Sequence, residues 1–176
     1  MSDQDVSENP VQRFTQPMVG LPAWGVHQGY GSFLTLEFGQ PKLEVRQGCS
    51  KGRVTRTAHV RGQWHLWIYF CNWRVLQGET QLAWSEDDAM TVMQATNALN
   101  GQKLLTVSVS PEEGRSSFTF DLGGRIETWA YGDDPTEEQW LIYGEAETFS
   151  YRADGTYAQG SATTPLNEVS WLPLER

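Results

Sequence analysis

Residues 63–73, QWHLWIYFCNW, offer almost no polar side chain on either parity. A run this rich in aromatic residues reads as a strand. A strand with one wet face alternates apolar with polar residues. This one would send Trp64, Leu66, Ile68 and Phe70 one way and His65, Trp67, Tyr69, Cys71 and Trp73 the other. The first set reads as core. The second needs a cover, and that cover is the chain's own helix, a ligand or a partner.

The preceding segment, RVTRTAHV (53–60), also reads as a strand, joined to the first by RGQ. As an antiparallel pair, the two have a register that decides which side chains meet. A two-residue loop sets Arg53, Thr55 and Thr57 against the apolar face. A three-residue loop instead matches Val60 with Trp64, Ala58 with Leu66 and Val54 with Phe70. The second register is favoured, and it places His59 across from His65 at about 5 Å between Cβ atoms. Two histidines at that spacing can share a metal or a proton, or respond to pH. A zinc site needs two further ligands, no C-x-x-C or H-x-x-x-H spacing occurs, and Cys71 falls roughly 20 Å along the strand from His65. No metal and no cofactor are therefore expected. The candidate ligand or partner surface is His59, His65, Trp67, Tyr69 and Trp73, since Trp and Tyr combine large apolar area with a hydrogen-bonding tip.

The rest of the chain follows a β rhythm with one interruption. SFLTLEFG and KLEVRQ flank a QP turn, GCSKG (48–52) reads as a loop, and the strand of 63–73 runs on to about Leu76. SEDDAMTVMQATNALNG (85–101) is helical: Ser85 is the expected N-cap, with Glu86, Asp87 and Asp88 where the dipole favours anions. Ala89, Val92, Met93, Thr96 and Leu99 form one face, and Asn100-Gly101 ends the helix. Strands resume at KLLTVSVS and continue through a tight-turn pair, Asp154-Gly155. The expected fold is α+β: a mainly antiparallel, strongly curved sheet or partial barrel packed with one principal helix, about 86–99. Residues 1–20 read as a loose tail and 21–176 as a single domain. SFLTLEFGQPKLEV (32–45) and SSFTFDLGGRIETW (116–129) share a pattern that suggests two equivalent hairpins.

Charge narrows the partners. With 13 Lys and Arg against 22 Asp and Glu, the net charge is −9, which opposes a nucleic-acid backbone and welcomes a basic protein. The loop GDDPTEEQ contributes Asp133, Asp134, Glu137 and Glu138 as a candidate acidic partner surface. No dinucleotide fingerprint, phosphate loop or G-x-S-x-G is present, so no catalytic residue is assigned. Two cysteines, no signal-peptide pattern and no apolar run of membrane-spanning length place the expectation in the cytoplasm, with no membrane contact.

FTFDLGGRIETWAYGDDPTEEQWLIYG (118–144) resembles a motif of small bacterial proteins of unknown function and of immunity-like proteins of toxin systems. An alternating strand ends in acidic-x-Gly, a second strand follows, and a Trp starts the next; here Asp121, Gly123 and Trp140 hold those places. The resemblance implies a β-rich domain with a protein-binding role. The expected function is thus a non-enzymatic binding protein, immunity-like, that engages a basic partner through an acidic and aromatic surface. A small-molecule binder or enzyme with an aromatic-lined cavity is the alternative, and a symmetric homodimer through the same face stays open.

Overall fold

A computed structural model of the chain describes residues 9–174. It is mostly antiparallel sheet with two short helices. In chain order these are α1 (Pro10–Thr15), β1 (Trp24–Gln28), β2 (Leu34–Phe38), β3 (Lys42–Ser50), β4 (Arg53–Arg61), β5 (Trp64–Ile68), β6 (Cys71–Gln77) and β7 (Thr80–Trp84). There follow α2 (Ala89–Leu99), β8 (Leu104–Ser110), β9 (Arg115–Phe120), β10 (Gly124–Ala130), β11 (Glu138–Tyr143), β12 (Glu147–Arg152), β13 (Thr156–Ser161) and β14 (Leu172–Pro173).

The strands form a seven-stranded sheet ordered β1-β2-β5-β11-β12-β13-β14, a five-stranded sheet ordered β7-β6-β10-β9-β8, and a separate hairpin of β3 and β4. The two large sheets are not closed into a barrel. Period-two alternation turns one face of each inward. From the large sheet come Leu34, Leu36, Leu66, Ile68, Trp140, Ile142, Phe149 and Tyr151, all fully buried; from the small sheet come Trp73, Val75, Phe118 and Ile126. Polar side chains stitch the layers together. Trp140 Nε1 donates to Ser116 Oγ at 2.8 Å, Trp73 Nε1 donates to the Ser32 carbonyl, and buried Gln139 accepts from Thr128 Oγ1 at 2.9 Å.

The strand expected over 64–76 is two strands. The chain breaks at Tyr69-Phe70, where the Cys71 amide donates to the Tyr69 carbonyl, and passes from β5 in the large sheet to β6 in the small one. A run apolar on both parities is the signature of a segment that serves two layers in succession. The expected pairing of 53–60 with 64–71 does not form. β4 pairs with β3 through nine residue pairs, and β5 lies between β2 and β11. GCSKG is accordingly no loose loop but the end of β3 and a tight turn, with Lys51 at φ 51° and Gly52 at φ 74° as a type I′ turn requires.

The helix is present but starts later than expected. Asp88, not Ser85, caps α2, accepting from the Met90 and Thr91 amides at 3.0 Å, while Ser85 is buried and bonds Asn72 instead. Val92, Ala95, Thr96 and Leu99 form the buried face; Met93, expected inside, is exposed. α2 packs on β1, β7 and β6. Of the stretch expected to be a loose tail, residues 1–8 lie outside the described residues, and Pro10–Met18 are folded: Asn9 caps α1, and Val11 and Met18 enter the core. No helix among the described residues is long and apolar enough to cross a membrane.

Candidate functional site

The outward rows of the large sheet follow from its register. Trp67 on β5 neighbours Thr35 on β2 and Leu141 on β11, which neighbours Ser150; His65 neighbours Glu37 and Tyr143, which neighbours Thr148. Leu66, Ile68, Trp140 and Ile142 point inward, so Trp67, Leu141 and Tyr143 must point outward. At the break after β5 the alternation lapses, and Tyr69 and Phe70 join the same side.

An aromatic cluster results. Tyr69 stacks on Trp67 with centroids 4.5 Å apart, Phe70 meets Tyr69 edge-on at 4.8 Å, and Phe33 stands edge-on to Trp67 at 5.7 Å. These are the offset and T-shaped geometries that ring quadrupoles favour. Trp67, Tyr69 and Phe70 of this cluster, with Leu141 and Tyr143, line an open groove of about 460 Å³ whose remaining wall is Thr136, Glu137 and Glu138, and Phe33 packs behind the rings. Tyr69 donates its hydroxyl proton to Glu138 Oε2 at 2.5 Å, and burial, then that carboxylate, push the phenol's pKa far up. The phenol is therefore a fixed donor that orients the Glu138 carboxylate. Glu137 and Glu138 have no ion pair among the described residues.

Past Glu138, Leu141 and Tyr143 the face continues into a narrower cavity of about 200 Å³, roofed by the C-terminal segment through Val169 and Trp171. Small side chains on β12 and β13, Thr148, Ser150 and Ala158, make room for it. The Arg152 guanidinium lies 3.6 Å over the Trp171 ring, within cation–π range.

The sequence-derived candidates divide cleanly. Trp67 and Tyr69 from the aromatic set, and Glu137 and Glu138 from the acidic set, meet in one groove although some 70 residues separate them. Trp73 does not join them: it is fully buried on β6, because the chain has crossed to the other sheet by then. His59 and His65 are not partners. His59 lies on β4 with Nε2 3.2 Å from Glu44, and His65 Nδ1 lies 2.6 Å from Glu37 Oε1, beside the groove rather than in it. Asp134 is spent locally, accepting from the Thr136 amide and hydroxyl, and the hydroxyl bond first of all holds its carboxyl below the usual range. Asp133 is exposed and outside the lining. Phe70, expected in the core, is 53% exposed at the groove mouth.

Leu141, Tyr143, Phe70 and Thr136 complete the lining without having been expected there. WLIY (140–143) does carry the signal, since burying Trp140 and Ile142 obliges Leu141 and Tyr143 to face out. The residues of the hairpin resemblance serve the fold: Asp121 accepts from the Lys103 amide at 2.7 Å, Gly123 turns the chain at φ 90°, and Trp140 is core. Cys49 is exposed and Cys71 buried, both as free thiols; burial raises the Cys71 pKa. No group of three His, Cys, Asp or Glu side chains among the described residues converges as a metal site. Compared with protein-family models, curated proteins and solved structures, the chain finds no match in any of the three.

Proposed function

We infer that this chain is a non-enzymatic binding protein whose groove on the open face of the large sheet receives a cationic group of a basic protein partner. The observation that carries the reading is the convergence of Trp67, Tyr69, Phe70 and Tyr143 with two carboxylates that form no ion pair among the described residues, Glu137 and Glu138. Aromatic faces attract a guanidinium or ammonium through their quadrupole, and carboxylates beside them supply charge-assisted hydrogen bonds. The helix leaves this face uncovered, packing on β1, β6 and β7 instead. An immunity-like protein that holds a basic toxin is the form of this function that the hairpin resemblance implies. Two free thiols support an encounter in a reducing, cytoplasmic compartment.

A titration with an arginine-rich peptide, read by Trp67 fluorescence, tests the reading. Saturable quenching that weakens with added salt is expected, together with its loss in Trp67→Ala and in the double variant Glu137→Gln, Glu138→Gln. Quenching that ignores both the salt and the carboxylates contradicts it.

One observation favours a second reading, a small-molecule binder. The groove's volume of about 460 Å³ lies within the range of small-ligand sites, and the adjoining cavity adds Arg152, whose Nε has no hydrogen-bond partner among the described residues. A ligand with a cationic head and an anionic or polar tail would span both cavities. Arg152→Ala separates the readings: it weakens such a ligand and leaves the arginine-rich peptide unaffected.

A further inference from the structure

β3 and β4 form an arm that belongs to neither large sheet, and it is built unlike the rest of the chain. Residues 42–61 hold Lys42, Arg46, Lys51, Arg53, Arg56 and Arg61 against one carboxylate, Glu44. The arm is thus +5, and the seven cations and 21 carboxylates elsewhere leave −14. At about 3.4 Å per residue the nine-residue strands extend about 30 Å.

Its two faces differ. Register puts Leu43 with Val60, Val45 with Ala58, Gln47 with Arg56 and Cys49 with Val54 on one side, and mostly charged and hydroxyl side chains on the other. On the apolar side Leu43 is 65% exposed, Val45 59%, Val54 58% and Val60 53%. A two-stranded ribbon is marginal in water unless its apolar face is covered, and an exposed apolar strand pair is a ready interface. The root, by contrast, is fastened. The Gly62 amide donates to Glu37 Oε2 at 2.8 Å, the Gln40 amide donates to Gln63 Oε1 at 3.0 Å, and Arg61 lies 5.2 Å over the Tyr143 ring. A side chain at Gly62 would collide with the Phe38 backbone, so the close approach there requires glycine.

We propose that the arm of one copy docks in the acidic aromatic groove of a second copy of this chain. Complementarity selects this occupant twice. The +5 arm faces a −14 body, whereas two arms stacked face to face would repel and would bury a guanidinium from each in the apolar contact. Arg56 also sits within the apolar face, where its Nε donates an exposed 2.9 Å hydrogen bond to Gln47. An apolar ribbon with one central guanidinium is the complement of an aromatic groove edged by Glu137 and Glu138. The inference rests on the groove's being a receptor for cationic groups, and it adds the basic arm of a second copy as an occupant beside a basic protein partner.

Sedimentation velocity over a concentration series, at low and at high salt, tests it. The intact chain forms a larger species at low salt that high salt disperses. Arg56→Glu, and separately the double variant Glu137→Arg, Glu138→Arg, each weaken self-association at least about 30-fold, and mixing the two restores it. Arg56 is exposed on the arm, so the melting temperature of Arg56→Glu stays that of the parent and a folding defect is not the cause. A chain that stays monomeric at every concentration overturns the proposal. So does association that survives Arg56→Glu, or a monomer whose arm instead captures duplex DNA or heparin. If Arg56→Glu is monomeric and still binds the arginine-rich peptide at Trp67, the self-docking proposal and the receptor reading both stand. If the parent is monomeric and binds the peptide, only self-docking falls; if it does neither, both fall.

Discussion

The two large sheets share one core and present opposite kinds of outer face. On the small sheet Glu127 is met by Arg74 of β6 at 2.6 Å and by Arg125 of its own strand at 2.9 Å, with Ser117 and Ser108 in the same row. The Glu127 carboxylate there has its counter-charges, and the row ends on the partly exposed ring of Trp84, which neighbours Arg74. On the large sheet the corresponding surface holds stacked aromatic rings and two carboxylates that form no ion pair among the described residues, Arg152 beside Glu138 lying over Trp171 instead. A surface that completes its own interactions is a finished exterior; one that leaves charge and aromatic area unmatched is built to meet something else. The difference lies in side-chain choice at outward positions, since both sheets obey the same alternation.

Removing the layer that the two faces share should have the largest effect. Trp140 is fully buried, stacks with Phe149 and Tyr151, and donates to Ser116 across the sheets. Trp140→Ala should cost about 3–5 kcal/mol in denaturant unfolding and abolish peptide binding with it, because both faces lean on that layer.

Trp67→Ala separates the faces. Binding of the arginine-rich peptide should weaken at least about tenfold, while stability changes by no more than about 1 kcal/mol. Glu127→Gln on the opposite face should do the reverse, lowering stability by up to about 1 kcal/mol, as partly exposed ion pairs do, with the peptide affinity unaltered.

High pH sharpens the contrast further. Burial first, then Glu138, raises the Tyr69 pKa in the folded chain, so the folded chain keeps a proton that the unfolded chain releases near the ordinary value of 10.0. Stability is undiminished below pH 10 and falls as the pH rises past it. Tyr151, also raised by burial, adds to the loss. Tyr69→Phe should flatten part of the alkaline decline in thermal melts and leave neutral-pH melting nearly the same. The smallest effect belongs far from either face: Asp88→Ala, by removing the α2 cap, should lower the melting temperature slightly and leave peptide affinity untouched.

Local structure was legible in the sequence, and so was half of the candidate groove's lining. The helix, its Gly101 stop and the inward parity of Leu66 and Ile68 follow from periodicity and are observed. Trp67 and Tyr69 stood out because their face had no polar explanation. Pairing was not legible, because it depends on which sheet edge is free. SFLTLEFGQPKLEV and SSFTFDLGGRIETW share a pattern, yet only the second folds as a hairpin, β9 against β10. In the first, β2 is already flanked by β1 and β5, so β3 has no edge to return to and leaves with β4 as the arm. The same departure removed the expected partner of β5 and with it the His59–His65 pair. Glu137 and Glu138 could be read as acidic surface but not as neighbours of Trp67, since only the pairing of β11 with β5 brings them there.

The most direct measurement is a titration of the isotopically labelled protein with the arginine-rich peptide, followed by amide and indole NMR shifts. Movement should centre on Trp67, Tyr69, Phe70, Glu138 and Tyr143, with the residues around Arg74 and Glu127 still. No movement, or movement spread equally over both faces, would contradict a binding site confined to the open face of the large sheet.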